Sequence, residues 1–311
     1  MHRPLTPVRF DPVQEMHTTR TLELRYTLDE ESPHVEFHAH PFYEIYFFLE
    51  GPMERYVIGG RSYQLKAGDI LMIPPTIMHH PIFTEDSRPY KRYVLWLSLE
   101  HMEQLENLDS DLLNVLRMCQ EQEEYRIRCA TSALAQQLEG YLRSMWLENQ
   151  GNAPCKYASF YSQCTNFLVA LNRIVTDNNI IPNRYDHQSS LMDRLLGYIH
   201  DNYANPISLS SVAEHFFVSP STVEQLFSKK LGKPFYRYVT ECRIIHAQTL
   251  IISGMPLKSV GQACGYNDYS NFYKAFTREV GVSPSEFKMH LPPDHFQATL
   301  IKEGKISPEK G

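Results

Sequence analysis

The sequence predicts a multi-domain α+β protein with an N-terminal β-barrel of the jelly-roll kind, central helices and a C-terminal all-α domain of two helix-turn-helix units. A length of 311 residues exceeds one ordinary domain and fits two or three. Hydrophobic residues make up 42%, with 16 Phe and 19 Tyr, which excludes a disordered chain. The spacing of apolar residues also changes along the chain: they alternate with polar residues in the first hundred residues and recur at helical spacing afterwards.

Residues 1–100 are predicted to form the barrel domain, because short β-branched and aromatic runs follow one another there with turn signals between them. The pair Gly59–Gly60 separates two such runs and predicts a two-residue hairpin. Short strands at this spacing are typical of a small barrel or jelly roll.

Residues 101–187 are predicted to form a helical region for dimerisation or coupling, followed by a polar linker. Apolar residues recur at helical spacing in two segments, Glu121–Glu148 and Tyr157–Thr176. They carry more apolar residues than packing on one small barrel requires, so we expect a homodimer through these helices. A helix hairpin packed within one chain is the alternative.

Residues 188–290 contain two similar halves, and each predicts a short helix, a tight turn and a second helix. In the first half, Ser219 is a natural N-cap and Gly232 ends the second helix. The second half repeats this plan with Asp268 as the cap and Gly281 as the end. This geometry is typical of units that place their second helix in the major groove of DNA.

The same region differs in charge from the rest of the chain. It carries ten basic and eight acidic side chains, whereas the whole chain has a net charge of −6. A long helix predicted over residues 237–252 would hold the two second helices about one DNA turn, roughly 34 Å, apart. The small positive surplus permits contact with phosphates.

Polar side chains on the outward faces of the two second helices are the candidates for DNA contact. Glutamate accepts a hydrogen bond from cytosine, glutamine pairs with adenine, and lysine contacts guanine or phosphate. The candidate DNA-binding residues are Ser221, Glu224 and Gln225 in the first unit and Tyr269, Ser270 and Lys274 in the second.

The second unit resembles the signature of the AraC/XylS family of bacterial transcription regulators, through the pattern Ser270-x-Phe272-x-Lys274-x-Phe276-x4-Gly281-x-Ser283-Pro284-x-x-Phe287-Lys288. The resemblance covers residues 191–288 and implies an AraC-type DNA-binding domain at 188–290. Lys274 and Lys288 stand where the family usually has arginine.

The first hundred residues carry a second resemblance. The spacing His38-x-His40-x3-Glu44-x6-Gly51 is similar to the first cupin motif, and Gly68-x5-Pro74-x-Thr76-x2-His79 is similar to the second. Residues 38, 40 and 44 share parity, so an extended strand projects them to one side, although Pro41 interrupts that strand. We expect His38, His40, Glu44 and His79 to converge inside the barrel.

Two chemistries are open for this set of residues. Three imidazoles and one carboxylate suit a first-row divalent metal ion, which makes such an ion the candidate cofactor. Alternatively, the set forms a metal-free polar pocket for a small organic effector such as a sugar, as is common in sensor domains of AraC-like regulators. The candidate effector-pocket residues are His38, His40, Glu44, Tyr46 and His79.

The two resemblances imply an effector-controlled transcription regulator rather than an enzyme, with double-stranded operator or promoter DNA as its partner. An activator would also contact RNA polymerase. A metal-dependent cupin enzyme that carries a DNA-binding domain is the rival hypothesis. A non-specific architectural DNA protein fits poorly with so small a positive surplus.

The sequence also predicts the cellular location and a C-terminal tail. No apolar run approaches the ~20 residues that span a membrane, and the N-terminus lacks a signal-peptide pattern. We therefore expect a cytoplasmic location. Residues 291–311 are expected to form a C-terminal tail.

Overall fold

The computed structural model describes residues 21–29, 38–84, 88–177, 180 and 190–289. The chain divides into two compact units, Met1–Asp193 and Arg194–Gly311. The predicted tail, 291–311, and linker residues 181–189 lie outside the described residues. Among the described helices, none combines the length and the apolarity that a membrane crossing requires.

The first unit has two antiparallel sheets, as the predicted jelly roll requires. The five-stranded sheet has the order β1-β7-β2-β5-β8, and the three-stranded sheet has the order β4-β3-β6. The strands are β1 Leu22–Asp29, β2 Tyr43–Glu50, β3 Met53–Ile58, β4 Arg61–Tyr63, β5 Ile70–Ile73, β6 His79–Phe83, β7 Tyr90–Leu97 and β8 Arg126–Ile127. In the described residues the sheets do not join into a closed barrel, so the domain is a two-sheet sandwich.

The helices of the first unit come after its first seven strands, with β8 between the second and third α-helices, and the second unit is helical in its described part. The first unit has α1 Leu99–Leu108, a 3₁₀ turn Ser110–Leu113, α2 Asn114–Gln122, α3 Ser132–Gln150 and α4 Lys156–Asp177. The remaining helices are α5 Leu191–Asn202, α6 Leu209–His215, α7 Pro220–Leu231, α8 Phe235–Ile252, α9 Leu257–Ala263, α10 Tyr269–Val280 and α11 Pro284–Met289.

Strand β2 has two buried faces of different composition, because successive side chains point to opposite sides. Ile45 and Phe47 belong to the cluster that the helices α1–α4 cover. Tyr46 and Phe48 belong to an aromatic cluster to which both sheets contribute. The even-numbered residues of β2 therefore face the interior of the sandwich, as the parity argument predicts.

The predicted hairpin at Gly59–Gly60 is confirmed. Strands β3 and β4 pair antiparallel with Ile58 opposite Arg61, so the two glycines form the whole loop. Their φ angles are +54° and +79°, the left-handed values that a two-residue turn of this kind requires and that glycine adopts without strain.

Strand β8 extends the sheet beyond the predicted boundary of the barrel at residue 100. It pairs with β5, and Arg128 just after it binds both carboxylate oxygens of Asp69, at 2.8 and 2.6 Å. The predicted amphipathic segment Glu121–Glu148 is therefore wrong as one element. It contains the end of α2, strand β8 and most of α3, and a two-residue strand has no periodicity from which to predict it.

The predicted helix pair is present, and its apolar stripes are used inside the unit. Helices α3 and α4 pack on each other, and their apolar residues join the cluster on the outer face of the five-stranded sheet. The buried members are Leu138, Leu142 and Met145 on α3, and Phe160, Cys164, Phe167, Leu168, Ala170, Leu171, Ile174 and Val175 on α4.

The predicted long helix in the second unit is confirmed as α8. It contributes nine buried residues, among them Tyr238, whose ring lies 5.5 Å from that of Phe227 on α7. Helix α8 also contacts α9, α10 and α11, so one helix connects both helix-turn-helix units through a shared core.

Candidate functional site

Three of the four predicted barrel residues bring their donor atoms together. One nitrogen each from His40 and His79 and one oxygen from Glu44 all lie within 4.8 Å of one another. Both histidines are fully buried, and Glu44 is nearly so. Strand β2 supplies Glu44 and the chain just before it supplies His40, while His79 begins β6 on the other sheet.

Backbone carbonyls fix the tautomer of both histidines. His40 Nδ1 lies 2.9 Å from the carbonyl oxygen of Phe42, and His79 Nδ1 lies 2.8 Å from that of Ile77. A carbonyl oxygen only accepts, so each Nδ1 carries the proton. A neutral imidazole held in this way presents the lone pair of its Nε2, which is the arrangement found in metal-ligating histidines.

The Nε2 atoms of these histidines meet different surroundings. Burial keeps the pKa of His79 well below its ordinary value, so this imidazole is neutral, and its Nε2 is buried without a hydrogen-bond partner among the described residues. His40 Nε2 lies 3.1 Å from Glu44 Oε2. Without a bound ligand, His40 Nε2 must carry a hydrogen to donate to the carboxylate oxygen. With an electrophile between them, both atoms donate lone pairs to it instead.

The carboxylate of Glu44 is held by the opposite strand as well. Trp96 on β7 is its cross-strand partner, and the indole Nε1–H donates to Glu44 Oε2 at 2.8 Å. Burial alone would raise the pKa of Glu44, but the hydrogen bond from His40 and the neighbouring imidazoles outweigh it and lower the pKa to about 2. Glu44 is therefore an anion in a buried site.

The other two predicted pocket residues lie beside this cluster. His38 pairs with His79 through two backbone hydrogen bonds, with their rings 4.3 Å apart, but it is not in the group of donor atoms within 4.8 Å. Tyr46 faces the interior from β2, and its hydroxyl lies 2.5 Å from that of Tyr90. The ring of Tyr56 lies 5.0 Å from that of Tyr46 and 6.2 Å from that of His79.

This arrangement fits a small ion better than it fits acid–base chemistry. Two imidazoles and a carboxylate are a ligand set that first-row divalent ions bind, and the orphaned Nε2 of His79 is the observation that supports the fit. Burial raises the pKa of Tyr90 to about 12 and holds that of Tyr46 well above its ordinary value, so neither hydroxyl titrates near neutral pH.

In the second unit, helix α7 begins and ends as predicted. The side chain of Ser219 accepts from the backbone N–H of Thr222 at 3.1 Å, Pro220 is the first helical residue, and Gly232 ends the helix at φ +66°. Ser221 and Gln225 are exposed on its outer face, and Glu224 is half-buried. All three stay predictions as DNA contacts.

Helix α10 follows the same plan with a different surface. Asp268 caps it by accepting from the backbone N–H of Asn271 at 3.1 Å, and Phe272 and Phe276 are buried at i, i+4. The predicted contact residues Tyr269, Ser270 and Lys274 are all exposed.

The turns that precede α7 and α10 have matching hydrogen bonds. After α6, the N–H of Phe217 binds the carbonyl of Glu214, and after α9 the N–H of Gly265 binds the carbonyl of Gln262. Both residues have a left-handed backbone, with φ +55° for Phe217 and +80° for Gly265. The second turn is one residue longer before its N-cap. The internal repeat that the sequence predicts is therefore a repeat of geometry.

Several basic side chains of this unit are bound within it. Glu241 pairs with Lys233 at 2.8 Å and with Arg237 at 3.2 Å, and Arg243 donates to a backbone carbonyl at 2.7 Å. Lys274 differs, because no carboxylate of the described chain pairs with it. Its ammonium group is therefore available on the outer face of α10.

Two features of these sites were missed by sequence reasoning. Trp96 lies 52 residues from Glu44, and only the pairing of β2 with β7 brings them together. Phe217 occupies a left-handed position that glycine usually fills, with its ring 95% exposed. Alignment of the two halves would have found it, because Gly265 stands at the matching place.

Comparison with known proteins agrees with this two-part architecture. Residues 22–155 match the family described as AraC-like ligand binding domain, and residues 212–290 match a helix-turn-helix domain family. The arabinose operon regulatory protein of Escherichia coli K12 is 25% identical over 259 residues, which cover 78% of this chain and 84% of that protein.

Other similarities cover less of the molecule. The uncharacterized HTH-type transcriptional regulator YijO of Escherichia coli K12 is 33% identical over 100 residues, 32% of this chain. The chain covers 35% of the length of YijO and 58% of the regulator GadX of Escherichia coli O157:H7. The C-terminal domain of AraT, a response regulator from Geobacillus stearothermophilus, is 28% identical with a TM-score of 0.32, over 33% of this chain and 88% of that one.

Both domain families are matched, in the order in which the sandwich and the paired helix-turn-helix units follow along the sequence. The chain therefore belongs to the AraC family of transcription regulators.

Proposed function

We propose that this protein is a cytoplasmic regulator that binds a specific double-stranded DNA sequence through residues 188–290, under the control of a small ligand in the N-terminal sandwich. The observation that carries the proposal is the repeat of geometry in the second unit. The second helix of each unit, α7 or α10, is capped at its N-terminus, packs through one apolar stripe and is exposed on its other side. This is the form in which helix-turn-helix proteins present a helix to the major groove.

Lys274 gives the direct test of the DNA-binding face. It is exposed and unpaired by carboxylates in the described chain, so we assign it a contact with a guanine edge. Binding sites are enriched from a random duplex library with the full-length protein, and affinities are measured at fixed salt. We expect Lys274→Ala to weaken binding to the enriched site by about 1–3 kcal/mol and to relax the base preference at one position.

Lys258→Ala is the matched control, because Lys258 is an exposed lysine on α9 rather than on a second helix. A phosphate contact there would weaken all sequences alike and leave base preference unchanged. Equal behaviour of the two variants, or an unchanged site preference in Lys274→Ala, would contradict the assignment.

For the sandwich we propose that His40, Glu44 and His79 hold a divalent metal ion. The support is the pair of Nδ1 atoms held by backbone carbonyls, the anionic Glu44 and the orphaned nitrogen of His79. A bound ion would supply a Lewis-acidic centre for an oxygen-bearing effector such as a sugar or a carboxylate. Tyr46 and His38 remain proposed members of the surrounding pocket.

Elemental analysis of protein purified without an affinity tag tests the metal. We expect about one equivalent of a transition metal per chain, and loss of that metal in His79→Ala. If the protein contains no metal and takes up none on titration with Zn²⁺, the metal proposal is wrong. The alternative, a metal-free polar pocket, predicts that a chelator leaves effector affinity unchanged.

The rival function, a metal-dependent enzyme with a DNA-binding domain, has a clear signature. The metal-loaded protein would turn over candidate sugars at a rate that His79→Ala abolishes. Our proposal predicts no turnover together with retained DNA binding. The homodimer and, for an activator, contact with RNA polymerase complete the proposed set of partners.

A further inference from the structure

The outward face of α10 carries an aromatic surface. Tyr269 and Tyr273 lie at i, i+4 on this helix, with exposed fractions of 39% and 42%. Their ring centroids are 6.5 Å apart, and the ring of Tyr269 also lies 5.7 Å from that of buried Phe272. The two rings therefore form one exposed aromatic surface, with Lys274 next to Tyr273 in the chain, and packing on Phe272 restricts the motion of one of them.

The matching face of α7 is different. Counted from the N-cap, Tyr273 and Lys274 of α10 correspond to Glu224 and Gln225 of α7. Both residues of α7 offer hydrogen-bonding groups to bases, whereas α10 offers an aromatic ring beside a cation. Two helices of the same geometry therefore present different chemistry.

Exposed aromatic rings on a helix that enters the major groove meet one apolar group there, the C5-methyl of thymine. Tyrosine supplies a large apolar contact area with a polar end that remains hydrated. Resting on the proposed DNA-binding function, we propose that Tyr269 and Tyr273 recognise thymine methyl groups in the half-site that α10 contacts. Tyr273 thereby becomes a specificity-determining residue beside Lys274.

Replacement of single thymines by deoxyuridine tests the proposal, because it removes the methyl group and keeps base pairing. The α10 half-site is the one whose base preference changes in Lys274→Ala. We expect each contacted thymine, once replaced, to weaken binding of the wild-type protein about fourfold. Tyr273→Phe should retain this sensitivity, and Tyr273→Ala should lose it at one position. Lys258→Ala, at an exposed residue outside both second helices, should behave as wild type towards these substitutions.

The outcomes separate the inference from the function on which it rests. Enriched sites without thymine in the α10 half-site, or equal deoxyuridine sensitivity in wild type and in both alanine variants, would overturn the inference alone. Loss of sensitivity in Tyr273→Phe would overturn it too, because the hydroxyl group would then carry the recognition. Failure of the wild-type protein to enrich any site would overturn the proposed function itself.

Discussion

At the scale of single residues, the chemistry of the buried site depends on how neighbouring groups orient the two histidine rings and the carboxylate of Glu44. Phe42 and Ile77 fix the histidines through their carbonyls, and Trp96 fixes the carboxylate through its indole N–H. Groups that orient metal ligands in this way typically change metal affinity 10–100-fold when they are removed.

Trp96→Phe removes the indole donor and keeps an aromatic ring in the core. We expect this variant to bind Zn²⁺ about 10–100-fold more weakly than the wild type in a competition titration, because Glu44 loses a partner that orients it. The chain offers a matched control in Trp146→Phe, since Trp146 is the other tryptophan and packs against Tyr26 instead. An equal loss of affinity in both variants would mean that Trp96 acts only through the fold.

At the scale of elements, the two turns of the second unit predict opposite effects of substitution. Phe217 is left-handed at a position where its exposed ring gains nothing from packing, so Phe217→Gly should raise the free energy of unfolding by about 0.5–1 kcal/mol. Gly265→Ala should lower it by about 2 kcal/mol or more. The added Cβ would lie 2.6 Å from the carbonyl oxygen of Ala204 on a left-handed backbone.

Urea unfolding of the full-length variants, monitored by the circular dichroism of the helices, measures whether each substitution raises or lowers the free energy of unfolding. The prediction fails if Phe217→Gly destabilises the protein. A ring that lowers stability in the free protein is typically retained for an interaction made elsewhere.

Helices α3 and α4 bury their stripes within the unit, so the proposed dimer depends on what they leave exposed. Leu147 near the end of α3 and Tyr157 near the start of α4 are large, exposed and apolar or aromatic. We expect the full-length protein to sediment as a dimer at micromolar concentration, and Leu147→Glu with Tyr157→Glu to sediment as a monomer. A monomeric wild type at high micromolar concentration would leave the helix hairpin as a purely intramolecular element.

Elements set by local signals were predictable, and elements set by distant pairing were not. The Gly59–Gly60 hairpin, the caps Ser219 and Asp268, and the inward face of β2 each follow from a few adjacent residues. Pro41 does delay the start of β2 until Tyr43, yet His40 still reaches Glu44, because Phe42 holds its ring. Strand β8 and the Trp96 donor depend on contacts across more than fifty residues.

At the scale of the whole molecule, the sequence order of the two units matches a sensor followed by a DNA-binding domain. Each unit has its own core, and each carries one candidate site. The sequence alone named candidate residues for both sites, because each set follows from short motifs with a fixed spacing. The tautomers and the orphaned nitrogen of His79, which support the metal proposal, are properties of the folded site and have no signal in the sequence.

A hydroxyl-radical footprint of the full-length protein on its enriched DNA site tests whether both helix-turn-helix units bind DNA in a sequence-specific way. We expect two protected segments about 10 base pairs apart on one face of the duplex, one for α7 and one for α10. Lys274→Ala should weaken protection of one segment only. Uniform protection that is equal on unrelated DNA, or protection that Lys274→Ala leaves unchanged, would contradict sequence-specific binding by two helix-turn-helix units.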